Sequence, residues 1–471
     1  MKTEGRRKLD RLTRLPKFPM LLLLTVLAFI AVTASLALHV TGSLADAEPS
    51  ARPAAAATTT HTQARHADLL IETIGVNTHL RYTDTVYYTR FDDVILPRLK
   101  QLGVRYVRER ALTAEQHGPD HYFYTRLHEL AQLGIRFSLV TDFEHSRRPE
   151  TRWSALTDIN EWLDGAVWAF EGPNEPDRIV DLPPDEWIHR TRDAQQKLWS
   201  TVNSSPGLAE VKVLGPPLTT WRNQWASLGD LSPYLHYGNW HPYPGAAKPS
   251  MQGGKHMLVD RQLGPQLVSG NKPLVVSETG YTNAINKGEA GHRPASELAT
   301  ASYIPKLLFE YFNRGYARTF LYEFIDLKPD PTFTKQERHF GLLRNDGTPK
   351  PAFEALQRLI ELLADPGPPF TATPLAFTLL GEAEGVETSL LQKRDGTYYL
   401  ALWQDVSVWD STTRVDVVHP PKRLVLQLPK AATTMHVFQP NRDGLPTDTR
   451  HQADALPLSL GNDLLIVQVR P

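Results

Sequence analysis

Short apolar runs alternate with helix-like segments along the middle of this chain. The runs that fit strands buried on both faces are 70–76, 104–107, 135–140, 166–170, 211–214, 237–243, 274–277 and 319–325. Between them, segments such as 91–102, 185–202 and 296–314 repeat their apolar residues at helical spacing. Apolar strands that alternate with helices are typical of a parallel sheet covered on both faces. Eight such units across residues 69–364 predict an α/β fold, a (β/α)8 or TIM barrel.

A doubly wound open sheet would produce the same local pattern. That fold usually carries a Gly-x-Gly-x-x-Gly turn after its first strand or a phosphate-binding loop, and the sequence has neither motif. We therefore favour the barrel, and no cofactor is implied.

The helical pattern ends at the Pro- and Gly-rich segment 365–369. The residues that follow form short β-rich runs, with a hairpin signal at Arg394-Asp395-Gly396. Residues 370–471 therefore predict an all-β sandwich domain. Its aromatic residues Tyr398, Tyr399 and Trp403 leave two roles open, which are binding carbohydrate and packing against the barrel. Packing is the commoner role, and we favour it.

Residues 1–47 have the composition of an export signal. Several Lys and Arg residues precede an uncharged run at 18–38, which is about long enough to cross a bilayer. Ala45-Asp46-Ala47 offers a cleavage site, so a cleaved signal peptide and an uncleaved membrane anchor both remain open, with the anchor slightly favoured. Residues 48–68 are rich in Ala, Pro and Thr and predict a linker. We expect an exported protein, secreted or tethered to the outer face of the cytoplasmic membrane.

Charge and composition exclude several classes of function. The formal net charge of −1 lacks the basic excess typical of nucleic-acid binding. The absence of cysteine excludes disulfides, thiolate zinc sites and cysteine nucleophiles. The 17 histidines include no His-Glu-x-x-His pair, so we expect no metal site.

Two glutamates follow predicted strands in settings that favour catalysis. Glu175 lies in the turn after the fourth strand, and Pro176 is expected to bias its backbone toward an extended conformation. Glu278 ends the apolar seventh strand. A carboxyl group at the end of a buried strand is costly unless it has partners, and such groups often serve a function. Glu171, also after the fourth strand, is a weaker rival for the acid.

The motifs around these glutamates resemble those of glycoside hydrolase clan A. Asn174-Glu175-Pro176 and Ser277-Glu278-Thr279-Gly280 look like its two signatures, and the run 340–353 is similar to the one that closes many such barrels. The resemblance covers roughly residues 74–360. It is closest to family 39 and family 5-like bacterial polysaccharide glycosidases, which are retaining enzymes on TIM barrels.

The resemblance implies a role for each matching residue. Glu175 is the expected acid/base and Glu278 the nucleophile. The expected substrate-binding and positioning residues are Asn174, Arg108, His241, Tyr243, Tyr322 and His79. Tyr322 departs from the family pattern, because many relatives have Trp at this place.

The chemistry assigns the two glutamates the same roles. A nucleophile must be ionised, which Arg108 and Tyr243 would favour. A general acid needs a raised pKa, which burial and the charge of Glu278 would supply to Glu175. A retaining enzyme holds its two carboxyl groups about 5–5.5 Å apart. We expect hydrolysis of a polysaccharide or oligosaccharide; the alternatives are a transglycosylase and a non-hydrolytic carbohydrate-binding or polysaccharide-assembly protein.

Overall fold

The computed structural model describes residues 60–145, 148–179, 182–183, 185–219, 222–252, 255–256, 263–288 and 291–471. The predicted export segment 18–38 and the linker up to residue 59 lie outside these described residues. No helix in the described part of the chain combines the length and apolar character needed to cross a membrane.

Twenty strands and ten α-helices form the described chain. The strands of the first part are β1 (Thr60–Gln63), β2 (Arg65–His66), β3 (Ile74–Asn77), β4 (Tyr106–Arg110), β5 (Arg136–Val140), β6 (Val167–Glu171), β7 (Lys212–Leu214), β8 (Gly238–Trp240), β9 (Met251–Gln252), β10 (Lys255–His256), β11 (Leu274–Thr279) and β12 (Arg318–Leu321). The helices are α1 (Ala67–Glu72), α2 (Val86–Thr89), α3 (Leu96–Leu102), α4 (Tyr122–Gln132), α5 (Ala155–Trp162), α6 (Glu186–Ser204), α7 (Arg222–Leu228), α8 (Leu263–Ser269), α9 (Glu297–Asn313) and α10 (Pro351–Leu363). The remaining strands are β13 (Pro374–Gly381), β14 (Val386–Gln392), β15 (Tyr398–Gln404), β16 (Trp409–Asp410), β17 (Val415–Asp416), β18 (Lys422–Phe438), β19 (Asp448–Leu460) and β20 (Leu465–Arg470).

Eight parallel strands build the predicted barrel. Their order is β7-β6-β5-β4-β3-β12-β11-β8. The amide of Gly215 donates to the carbonyl of Tyr237 at 2.9 Å, and that of His236 donates to Val213 at 2.8 Å, so the ends of the sheet also meet. The prediction of a (β/α)8 barrel is confirmed.

The prediction of a first strand over residues 70–76 is wrong for most of that range. Helix α1 occupies Ala67–Glu72, and the strand covers only Ile74–Asn77. Leu70 and Ile71 are buried by the helix rather than by a strand. A short apolar run does not distinguish a strand from a buried helical turn, which explains the error.

Apolar side chains fill the lower part of the barrel. Trp168, Tyr106 and Phe320 pack with small and aliphatic residues of neighbouring strands. The guanidinium of Arg318 lies 3.4 Å from the ring centroid of Tyr106 and 4.1 Å from that of Trp168. A Cβ on Gly75 would come within 2.5 Å of the Phe320 ring, so this position has no space for a side chain. The barrel is thus closed from below, and a ligand must enter from the opposite end.

The C-terminal strands form the second, β-rich domain that the sequence predicts. β18 pairs with β13 in its first half and with β20 in its second half, and its register with β19 shifts between Gln427 and Ala432. Strands that change partner at such an irregularity make the corners of sandwiches. Leu426 and Met435, from the two halves of β18, lie in one apolar cluster.

The linker prediction for residues 48–68 is wrong at its C-terminal end. β1 pairs with β13, and β2 pairs with β14, so residues 60–66 belong to the sandwich sheet. Backbone hydrogen bonds at the edges of a sheet need no apolar pattern, and composition therefore did not reveal these strands.

The sandwich packs directly against the barrel. Trp403 is buried, with its ring 5.7 Å from that of Phe309 on α9, and its Nε1 donates to Glu310 at 3.2 Å. Tyr399 packs in the same apolar cluster as the barrel residues, and Tyr398 packs in the sandwich core. These three aromatic residues are buried, which favours the packing role over sugar binding.

Candidate active site

A cavity of about 300 Å³ opens where the barrel strands end. The predicted residues that line it are His79, Arg108, Asn174, Glu175, Tyr243, Glu278 and Tyr322. They come from segments at the C-terminal ends of β3, β4, β6, β8, β11 and β12, which is the end where TIM barrels carry their active sites. His241 is buried next to the two glutamates and contacts both of them.

Arg108 connects four groups at the top of the barrel. Its Nε and Nη2 donate to the two oxygens of Glu171 at 2.8 and 2.6 Å. Its Nη1 donates to Glu278 at 2.6 Å and to Asn77 at 2.9 Å, and its Nη2 also reaches Asn174 at 2.6 Å. A buried guanidinium with two carboxylates keeps its proton, and such charge-assisted bonds fix the orientation of both acids.

Glu278 accepts hydrogen bonds on both oxygens. Arg108 donates to Oε1, and the Tyr243 hydroxyl donates to Oε2 at 2.9 Å. Burial and the charge of Glu278 raise the pKa of Tyr243 well above its usual value, so the phenol keeps the proton that it donates. These two bonds fix the orientation of the Glu278 carboxyl group at the cavity.

Glu175 has a left-handed backbone, with φ 46° and ψ 52°. The expectation of an extended backbone before Pro176 is therefore wrong. The amide of Glu175 donates to the carbonyl of Pro217 at 3.1 Å, a contact that the local sequence could not indicate. Left-handed conformations of residues other than glycine are uncommon and cluster at functional sites.

His241 contacts both glutamates. Its Nδ1 lies 2.9 Å from Oε1 of Glu175 and 3.6 Å from Oε2 of Glu278. Its Nε2 lies 2.9 Å from the hydroxyl of Ser277, which donates to Glu171 at 3.2 Å. Because that hydroxyl has a single proton, Nε2 of His241 must carry the proton between His241 and Ser277. The hydrogen bond from Ser277 to the buried Glu171 therefore determines which nitrogen of His241 carries the proton.

The pKa of Glu175 differs from the sequence-based expectation. Burial raises it, but the hydrogen bond and charge of His241, together with Arg178 at 3.2 Å, lower the pKa to about 2. The expectation of a raised pKa considered burial and Glu278 but not direct contact with His241. Oε1 of Glu175 and Nδ1 of His241 lie 2.9 Å apart, close enough for a proton to pass between them.

Donor atoms of Glu175, His241 and Glu278 lie within 4.8 Å of one another. In the part of the chain that the structure describes, these three side chains are the one group spaced closely enough to ligate a single metal ion. Protein hydrogen bonds already engage both nitrogens of His241 and both oxygens of Glu278. The arrangement therefore fits a hydrogen-bonded pair of acids better than an open metal site.

Another part of the cavity lining is aromatic. His79 stacks on Tyr82 at 4.8 Å between ring centroids, and Tyr322 meets His79 edge-on at 5.6 Å. Burial and the charges of nearby arginines lower the pKa of His79 well below its usual value, so its imidazole is neutral. Flat rings and a neutral imidazole suit the face and hydroxyl groups of a sugar.

Three residues of the site were not predicted from the sequence to belong to it. Glu171, considered only as a rival acid, is fully buried, and Ser277 and Asn77 complete the network around Arg108. Asn77 precedes His79 by two positions, and Glu171 follows the inward-facing Ala169 by two. The two-residue period of a strand was the available signal.

The structure was compared with known proteins. No family model matches the sequence, and no curated protein matches it. A glucosidase from Croceicoccus marinus matches with a TM-score of 0.56 and 14% identity, over 87% of this chain and 97% of the other. A family 39 glycoside hydrolase from Bacteroides cellulosilyticus WH2 matches with a TM-score of 0.52 and 15% identity, over 86% and 82%. At these identities the chain shares the fold of these enzymes, a barrel followed by a β-sandwich.

Proposed function

We propose that this protein is a retaining glycosidase, with Glu278 as nucleophile and Glu175 as acid/base. The observation that carries the proposal is the approach of their carboxylate oxygens to within 4.8 Å in one cavity. Carboxylate oxygens this close are compatible with the retaining geometry, in which the two carboxyl groups lie about 5–5.5 Å apart, and they leave little room for the water that an inverting enzyme holds between carboxyl groups roughly 6.5–9.5 Å apart.

The first step forms a covalent glycosyl-enzyme. An oxygen of Glu278 attacks the anomeric carbon while the bond to the leaving oxygen breaks, and Glu175 gives that oxygen a proton. Arg108 and Tyr243 hold Glu278 in place. The oxygen of Asn174 accepts from Arg108, which leaves its amide NH2 to donate to a sugar hydroxyl.

His241 provides the proton for the acid role, because the pKa of Glu175 is lowered to about 2. Moving a proton from Nδ1 of His241 to Oε1 over 2.9 Å turns Glu175 into the acid. In the second step Glu278 is esterified and neutral, and Glu175 takes a proton from water, which attacks the anomeric carbon and frees Glu278.

The substrate that we propose is an oligosaccharide or polysaccharide. A second cavity of about 780 Å³ shares Tyr82, Asn174, Glu175 and Arg178 with the first one. The two spaces therefore adjoin at the acid/base, and together they have the volume to accommodate more than one sugar unit.

Removing each glutamate tests the proposal. Glu278→Ala should lower kcat by at least roughly 10⁴-fold, with azide restoring turnover to a product of inverted configuration. Glu175→Ala should retain activity on aryl glycosides whose leaving group needs no proton. Exposed Glu354→Gln on α10 is the matched control and should leave activity unchanged.

NMR of the first product formed by the unaltered enzyme reports the stereochemistry directly. Retention of configuration is the expected result. Inversion, or full activity in both glutamate variants, would contradict the assignment.

We also propose that the enzyme acts outside the cytoplasm. The basic flank and the apolar run at 18–38 support export. Fractionation of the producing cell should place the protein in the membrane or the medium, and deletion of residues 1–47 should retain it in the cytoplasm. A cytoplasmic full-length protein would contradict this proposal.

A further inference from the structure

The sandwich contacts the barrel beside the candidate active site, through the residues that join β15 to β16. These residues are 405–408, called the 405–408 segment below. The segment binds the part of the barrel that follows β8 and, through α9, the part that follows β11. The first of these parts contains Tyr243, and the second begins after Glu278. One stretch of the sandwich therefore reaches both parts of the chain that meet at the proposed nucleophile.

Asp405 binds the part of the barrel after β8 through two side chains. Its Oδ2 accepts from Nζ of Lys248 at 2.7 Å and from the hydroxyl of Ser250 at 2.8 Å. Nζ of Lys248 also donates to the Asp405 carbonyl at 2.9 Å. Ser250 is buried, and the two charged side chains are mostly buried, so water competes weakly for these charge-assisted bonds. Tyr243, whose hydroxyl donates to Glu278, precedes Lys248 by five residues.

Val408 reaches the part of the barrel after β11 through two stacked tyrosines. Its amide donates to the hydroxyl of Tyr303 on α9 at 2.8 Å. The Tyr303 ring stacks on that of Tyr281, with the centroids 5.1 Å apart. Tyr281 follows Glu278 by three residues, and its hydroxyl donates to the carbonyl of Ala247 at 3.3 Å. The two parts of the barrel are thus bonded to each other and to the sandwich.

We propose that the 405–408 segment positions Tyr243 against Glu278 and so makes the sandwich a working part of the active site. This inference rests on the proposed glycosidase function and adds the role of the second domain. The bond from Tyr243 to Glu278 joins two separate parts of the chain, so its geometry depends on how those parts lie relative to each other. Attachment of both to one domain fixes that arrangement. A displacement of about 1 Å near reacting groups can cost on the order of 100-fold in rate.

Removing the ion pair between Lys248 and Asp405 tests the inference. Lys248→Met and Asp405→Ala should each lower kcat by about 10-fold and change KM little, because neither residue lines the described cavity. Asp405→Asn keeps an acceptor oxygen for Lys248 and Ser250 and should retain more activity than Asp405→Ala. We take kcat per Glu278 side chain that a 2-deoxy-2-fluoro glycoside labels, so that misfolded molecules do not lower it.

Arg394→Met is the matched control. Arg394 of the sandwich lies 3.1 Å from Asp365, and its side chain is 27% exposed, against 28% for Lys248. Asp365 follows α10, and its amide donates to Asp68 on α1, the helix that leads into the start of β3. This pair therefore joins barrel and sandwich at the end opposite to the site. Arg394→Met should lower the urea midpoint of unfolding at least as much as Lys248→Met and leave kcat unchanged.

A double-mutant cycle distinguishes positioning from a general loss of structure. Tyr243→Phe removes the hydroxyl that binds Glu278. If Asp405 acts through this hydroxyl, Asp405→Ala should lower kcat by less than about 3-fold in the Tyr243→Phe background, against about 10-fold in the unaltered protein. A structural defect would lower kcat equally in both backgrounds.

The outcomes separate this inference from the proposed function. Equal losses in the two backgrounds, full kcat in Asp405→Ala and Lys248→Met, or an equal loss of kcat in Arg394→Met would overturn the positioning role and leave the glycosidase intact. Failure of 2-deoxy-2-fluoro glycosides to label Glu278 in the unaltered protein, together with absence of turnover for every glycoside, would instead contradict the glycosidase itself.

Discussion

The lower and upper layers of the barrel interior are built from the same strands but have opposite chemistry. On β4, Tyr106 lies in the apolar lower layer, and Arg108, two residues later, holds two carboxylates. On β11, Val275 is apolar, and Ser277 joins the polar network. A step of two residues, about 7 Å along a strand, separates a hydrophobic core from the proposed catalytic site.

This difference teaches that burial alone does not distinguish structural from functional positions. Phe320 and Glu171 are equally inaccessible. The lower layer is stabilised by dispersion and the removal of apolar surface from water, which tolerate conservative replacement. The upper layer depends on compensated charge, so each partner is needed to make burial of the others acceptable.

The largest effect is expected from Arg108→Met. The substitution leaves Glu171 and Glu278 buried without their cation and should lower the free energy of unfolding by about 3–5 kcal/mol. It should also lower kcat/KM by at least roughly 10³-fold, because Glu278 loses its orientation. Urea denaturation and steady-state kinetics measure the two effects. A stable, active variant would show that the upper layer does not depend on charge compensation.

Phe320→Ala should separate stability from activity. Removing this ring from the lower layer should cost about 3–5 kcal/mol of unfolding free energy. At a temperature where the variant is folded, kcat/KM should change by less than about 10-fold, since the polar network above it is intact. Loss of activity comparable to that of Arg108→Met would erase the distinction between the layers.

Ser277→Ala should lower activity and leave the fold intact. Without the hydroxyl, Nε2 of His241 loses its hydrogen-bond partner, and the imidazole is held less firmly against Glu175. Proton transfer between His241 and Glu175 then becomes less efficient, so kcat/KM in steady-state kinetics should fall by about 10-fold. Buried Ser269→Ala, on α8, is the control. An unchanged kcat/KM would remove Ser277 from the proton network.

The smallest effect concerns Glu310, a buried carboxyl between barrel and sandwich. Burial and the charge of Asp405 raise its pKa to about 7, whereas the unfolded chain releases this proton near pH 4.5. Its ionisation thus destabilises the fold as pH rises from about 4.5 to 7. Glu310→Gln should raise unfolding free energy at pH 8 by on the order of 1 kcal/mol and leave it unchanged at pH 4. A variant less stable than the unaltered protein at pH 8 would contradict this account.

Much of the architecture was accessible from local patterns. Apolar runs predicted the strands of the barrel, and the change of period after residue 369 predicted the β domain. The errors lie where local pattern and tertiary context disagree. Residues 67–72 form a helix although their apolar run also fits a strand, and residues 60–66 add strands to the edges of the sandwich sheet although their composition is that of a linker.

The sequence by itself determined which residues stand at the ends of strands, because strand period and turn residues are local properties. That was enough to single out Glu175, Glu278, Arg108, His241 and Tyr243. Only the tertiary structure decided that His241 lowers the pKa of Glu175 and that Glu171 orders the network beneath. Electrostatic interactions depend on distances of a few ångströms between segments far apart in the chain, and those distances exist only once the barrel has closed.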